Sequence, residues 1–233
     1  MATGSILAIN DAATTGTLHP LTKLALDRMW TVQRADGGWN WLKCEWPPME
    51  SDDHYGATLA AIGVGSAPDN YSQSPLAQAG MTKLRKYFKE QEPKFAHHRA
   101  MLLWADSKVS GLVSPDDRKK WIDELLSLQK PDGGWNSATL GKWKRHDGKE
   151  QDVKTSDGYG TGFVVFVLRR AGLPADNQQI QLGVKWLREN QRESGRWFAR
   201  SLFKDNKHYL SHAASAFAIM ALAECNALKS HTR

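Results

Sequence analysis

An all-α fold of stacked helical hairpins, each with an outer and an inner helix, is predicted by three recurring features of this 233-residue chain. The first is a glycine that closes an apolar segment, with a proline a few residues on. It occurs at Gly16 and Pro20, Gly65 and Pro68, Gly111 and Pro115, and Gly172 and Pro174. Glycine past a helix end supplies the left-handed residue, and proline beyond it blocks continuation. The second feature is a Gln followed six residues later by Trp across a glycine-bearing turn, at Gln33–Trp39, Gln129–Trp135 and Gln191–Trp197. The third is a short polar-aromatic opening to an apolar segment, at Asp53–Gly56, Asp157–Gly160 and, more loosely, Lys207–Leu210. No run alternates with the two-residue period of a strand.

Taken in order, residues 6–16 read as the tail of an inner helix whose outer partner is missing, so the chain is expected to start inside a repeat or to lack N-terminal repeats. Residues 17–233 read as one repeat domain, with units at about 17–65, 66–111, 112–172 and 173–233. In the first, Leu21, Leu24, Ala25 and Met29 mark an amphipathic outer helix. The second has Gln91 but no Gly-x-Trp, and its inner helix starts almost at once, from Phe95. In the third, Ser114-Pro115-Asp116-Asp117 is a strong helix start, and Trp121, Leu125 and Leu128 mark its outer face. Ile180, Val184 and Leu187 do so in the fourth. The inner helices are apolar nearly all round and rich in small residues: Gly56, Ala57, Ala60 and Ala61, then Gly162 to Leu168, then Ala213 to Ala223. A helix apolar all round is buried.

The Gln and Trp side chains are expected to work as a stability device. A Gln amide near a helix end can bond orphan backbone groups, and the indole can cover it and fill the gap between hairpins.

Composition is that of a globular protein, 41% hydrophobic and 24% charged, with net charge +6. Basic residues are mixed with acids along the chain, which argues against a nucleic-acid stripe. No segment is long enough to span a bilayer, and the first 13 residues lack the charged and apolar regions of a signal peptide. The expectation is a cytoplasmic product, with peripheral attachment to an anionic membrane surface compatible with the charge. Cys44 and Cys225 read as free thiols.

Tandem Gln-x-x-Asp-Gly-Gly-Trp loops at helix ends resemble the QW repeats of squalene-hopene and oxidosqualene cyclases and, more distantly, protein prenyltransferase β-subunits. The resemblance implies an α/α toroid, or part of one, of about four hairpins. It also implies an acid motif, Asp-x-Asp-Asp, that protonates an isoprenoid alkene such as squalene without metal or cofactor. The nearest match is Glu50-Ser51-Asp52-Asp53, with Glu in place of the first Asp. By position in that motif, the resemblance implies Asp52 as the proton donor with Glu50 and Asp53 as its partners, and His54 is a candidate hydrogen-bond partner. A developing carbocation needs π faces; Tyr55, Tyr159, Phe163, Phe166, Tyr209 and Phe217 on inner helices are the candidates.

Acids at a helix N-terminus also have a purely structural use, as caps and dipole partners, and Asp157 occupies the matching place in another unit. A rival reading is therefore a non-catalytic repeat domain that holds a lipid or a protein in its cavity. A zinc prenyltransferase is a third. His208 and His212 have the spacing of paired ligands, with His97 and His98 elsewhere, but no Asp-x-Cys accompanies them, so no metal is expected. An arc lacking hairpins exposes apolar inner helices, which more chain, a partner or self-association must cover.

Overall fold

The computed structural model describes residues 1–228. Among them lie nine α-helices and no strand: α1 (Ala2–Thr14), α2 (Pro20–Thr31), α3 (Asp53–Ser66), α4 (Pro75–Glu90), α5 (Ala96–Lys108), α6 (Pro115–Ser127), α7 (Gly158–Arg170), α8 (Gln178–Glu189) and α9 (Tyr209–Glu224). Helices α2, α4, α6 and α8 follow the outer segments of the sequence. The odd-numbered helices follow the inner ones.

Local chemistry sets the ends. Proline opens α2, α4 and α6, where its missing N–H is no loss. Ser74, Asp52, Asp157 and Asn177 cap α4, α3, α7 and α8 through their side chains. Gly16, Gly111 and Gly172 take φ values of +69°, +83° and +100° past helix ends, as the punctuation predicts. Gly65 does not. It lies within α3, where an added Cβ would come 2.7 Å from the Lys108 carbonyl oxygen. Close packing explains this glycine, not a left-handed turn.

The chain forms two compact units. The first comprises Met1–Glu45, Met49–Lys94 and Met101–Pro115. The second comprises Trp46–Pro48, Phe95–Ala100 and the described residues from Asp116 on. In the first, alternate helices are neighbours: α1 packs on α3 and α2 on α4, with α1 also against α2 and α3 against α4. In the second, α7 lies along α9, and α8 covers both. Each unit therefore has an inner and an outer layer.

Small residues let the inner helices touch. A Cβ at Gly63 would stand 2.4 Å from Ser5 Cα of α1, and one at Gly162 would stand 2.6 Å from the Ala218 nitrogen of α9. Between the layers, Gly80 of α4 receives the Trp30 ring and Gly183 of α8 receives Val165 and Trp135. Residues 54–64 of α3 and 158–168 of α7 are almost wholly buried, the state expected of helices apolar on every side.

The three Gln-Trp loops repeat one geometry. Trp39, Trp135 and Trp197 are buried, and each indole N–H donates to a carbonyl two residues before the end of the outer helix: Met29 at 2.9 Å, Leu125 at 2.7 Å and Leu187 at 2.7 Å. Each Gln amide donates to the carbonyl of its loop glycine, Gly37, Gly133 or Gly195, and all three glycines have positive φ. Gln33 and Gln129 donate a second bond to the next outer helix, at Gly80 (3.0 Å) and Gln179 (2.8 Å). The indole thus adds a short hydrogen bond to a carbonyl of the last helical turn, where backbone bonding is long or missing, the amide closes the loop, and two of the amides also join adjacent outer helices.

Candidate functional site

The acid cluster lies in the first unit, where the loop after Trp39 meets the start of α3. Asp52 is the N-cap; its Oδ1 accepts from the Tyr55 N–H at 3.1 Å and its Oδ2 accepts from the Ser51 hydroxyl at 3.4 Å. Asp53 begins the helix. Its Oδ2 accepts from Arg34 at 2.7 Å, its Oδ1 from the Trp41 N–H at 3.0 Å, and Lys43 stands 3.5 Å away. Burial pushes the Asp53 carboxyl up, but Arg34, the Trp41 amide and Lys43 together hold it below the usual carboxylate range. Asp53 is therefore an ionised anchor beside Asp52, fixed by Arg34.

Glu50 is half-buried on the approach to α3. Burial and a hydrogen bond with Glu50 raise the thiol of Cys44, which is an exposed free cysteine, while free Cys225 is buried. The Tyr55 phenol, next along α3, is pushed up to about 12 by burial and by Glu50. Trp41 tilts over Tyr55 with ring centres 5.8 Å apart and donates from its indole to the Met49 carbonyl at 2.6 Å. Gly56 leaves room for it: an added Cβ would come 2.8 Å from the ring. His54 packs its buried ring on Phe88 of α4, with centres 5.5 Å apart.

Arg34 and Trp41 are site residues the sequence reading passed over. The signals were present. Arg34 directly follows the loop Gln, and Trp41 repeats the indole of Trp39 two residues on.

The remaining aromatics lie in the second unit. Tyr159, Phe163 and Phe166 of α7 are buried. Tyr159 stacks on Phe163 at 5.6 Å, and His97 stacks on Phe163 at 4.7 Å while its Nε2 lies 2.8 Å from the Tyr159 hydroxyl. Phe217 of α9 meets Tyr159, Phe163 and Phe166 through its edge or at a tilt. Tyr209, at the start of α9, stacks on Trp46 at 5.3 Å and donates to the Pro47 carbonyl at 2.8 Å. Four of the six π candidates thus form one packed cluster, with Tyr209 in a second and Tyr55 beside the acids.

Asp157 is the counterpart of Asp53. Its Oδ2 accepts from the Ser137 N–H at 2.7 Å, and Ser137 stands two residues after Trp135 as Trp41 does after Trp39. Its Oδ1 accepts from the Gly160 N–H at 2.8 Å. Lys130 occupies the place of Arg34 but donates to the Val153 carbonyl instead. Burial raises the Asp157 carboxyl to about 6 against the lowering pull of those amide bonds.

No helix among the described residues is long and apolar enough to cross a membrane. Residues 112–227 match the family model of the squalene-hopene cyclase C-terminal domain. A squalene-hopene cyclase of Schizosaccharomyces japonicus (strain yFS275 / FY16936) is 29% identical over 109 residues, which cover 43% of this chain and 16% of that relative. The Glu50–Asp53 cluster lies outside the residues that match the family model.

Proposed function

Through residues 112–227 the chain belongs to the squalene-hopene cyclase family, and from that premise we infer that it is a class II terpene cyclase-like domain of the isomerase type. Its substrate is squalene or a similar isoprenoid hydrocarbon. The observation that carries the reading beyond the family match is the placing of Asp52 at the head of a buried inner helix, beside an Asp53 held ionised by Arg34.

In this reading the Asp52 carboxylic acid gives its proton to a terminal alkene carbon. The cation moves along the chain as each alkene π pair forms a ring bond, and loss of a proton ends the sequence. Substrate and product are isomers, so no cofactor or metal is consumed. Arg34 keeps Asp53 ionised, so of the two carboxyls Asp52 is the one to which the proton is assigned. Tyr55 and Trp41 offer π faces near the site of charge development. The same proposal assigns substrate contacts to Tyr159, Phe163, Phe166, Tyr209 and Phe217. Of these, Tyr209 and Phe217 are partly exposed as they stand, whereas the three residues of α7 need their packing to open. Peripheral association with a membrane suits so apolar a substrate.

The test is incubation with squalene and analysis of the hydrocarbon products. Cyclised isomers are expected from the native chain, with a loss of at least ~100-fold in Asp52→Asn. The packed aromatic cluster of α7 favours a second reading, a repeat domain that binds an isoprenoid without converting it. Saturable squalene binding with no product, unchanged by Asp52→Asn, selects that alternative.

A further inference from the structure

The second unit carries a cleft of about 380 Å³ between the third Gln-Trp loop and the start of α9. Four of its lining side chains are basic or imidazole: Arg192 and Arg196 from the loop, His208 and His212 from the helix start. No carboxylate lines it among the described residues; Glu193, in the same loop, is exposed and does not contribute to the wall. The rest of the wall includes the buried Trp197 and the half-exposed Phe198.

The first and second Gln-Trp loops differ here. Arg34 is occupied by Asp36 and Asp53, and Lys130 by a backbone carbonyl. In the third loop Ser194 replaces the aspartate that precedes the loop glycine in the other two. That aspartate is gone, leaving Glu193 as the acid of the loop, and an extra arginine, Arg196, stands between Gly195 and Trp197. The Arg192 guanidinium lies 4.6 Å from the Phe198 ring centre, a contact that orients its plane while leaving its N–H donors in the plane of the fork.

We propose that this cleft binds a phosphomonoester. Two guanidinium forks and two imidazoles match a doubly charged, multi-oxygen anion. The volume exceeds what a bare phosphate fills, and the Phe198 and Trp197 wall receives the organic part. A lipid headgroup and a soluble phosphorylated metabolite share this chemistry.

The test uses the full chain with two probes. Phenyl phosphate binding is measured by calorimetry. Cosedimentation is measured with phosphatidylcholine vesicles with and without phosphatidate. The double variant Arg192→Gln/Arg196→Gln is expected to weaken phenyl phosphate binding by roughly tenfold or more, whereas Lys119→Gln on the remote α6 leaves it unchanged. Both changes are at exposed positions, and a matching thermal melt confirms the fold. Phosphatidate-dependent sedimentation that the double variant loses assigns the site to a lipid headgroup. Phenyl phosphate binding without such sedimentation assigns it to a soluble ligand. Failure of the native chain to bind phenyl phosphate overturns the proposal, as does equal loss in Lys119→Gln or no loss in the double variant.

Discussion

Asp53 and Asp157 hold the same place in two hairpins and carry opposite electrostatics. Both tie the loop two residues beyond the Trp to the start of an inner helix. Arg34 stands beside the first, and its counterpart Lys130 turns away from the second. The sequence made the repeated aspartate legible, but not the charge state, because that depends first on how deeply each carboxyl is buried and then on where one long basic side chain points. The difference predicts a pH effect. Folded Asp157 keeps its proton up to about pH 6, whereas an unfolded aspartate releases it near about pH 4. Between those values the unfolded chain binds fewer protons, so stability falls as pH rises, by about 3 kcal/mol in all. Asp157→Asn should lose that slope in denaturant titrations across this window. Identical slopes in the native chain and the variant would refute the assignment. Asp53 works in the opposite sense: its contribution is present above about pH 4 and fades below it. A second residue-level prediction concerns the indole. Trp135→Phe keeps most of the buried ring but leaves the Leu125 carbonyl only its longer 3.3 Å bond from the Leu128 N–H, at about 0.5–1.5 kcal/mol in a urea melt. The sequence pointed to Gln and Trp at loop ends. It did not reveal that the indole, rather than the amide, bonds the helix carbonyl, since that bond spans ten residues through a reversal.

At the scale of helices, the order of outer and inner segments was readable from terminal Gly, Pro, Ser and Asp, but the buried face of α2 was misread: Leu21 and Leu24 are exposed, and Leu26, Met29 and Trp30 are buried. The exception at Gly65 is instructive. A glycine near a helix end has two uses, a left-handed turn or a close approach, and only tertiary contact separates them. The two uses respond differently to a methyl group. Gly162→Ala places its Cβ against the α9 backbone, so α7 and α9 must separate, at about 1–3 kcal/mol. Gly111→Ala meets no atom within 4 Å and bears only the strain of its left-handed conformation, about 1 kcal/mol. Equal midpoints for the two variants in urea would contradict this account of inner-helix packing. The aromatics of α7 were chosen from the sequence for their helix alone. Periodicity tells that a side chain is buried, not whether it lines a hollow or fills it, and Phe163 fills it.

For the whole molecule, the family was legible in three Gln-Trp loops, and the match over residues 112–227 agrees. The proposed activity rests on a tetrad, Glu50-Ser51-Asp52-Asp53, outside that match. The central claim is that a carboxylic acid of this protein delivers a proton to an isoprenoid alkene. Proton-initiated cyclisation in heavy water must place one solvent deuteron in each product molecule, since one proton enters at the first alkene carbon and another leaves at the end. Mass spectrometry of the hydrocarbons formed from squalene in D2O reads this directly. The account predicts cyclised products heavier than squalene by a single deuterium, formed by the native chain and lost with Asp52→Asn. Recovery of only unlabelled, uncyclised squalene, or labelled products undiminished in Asp52→Asn, would contradict it.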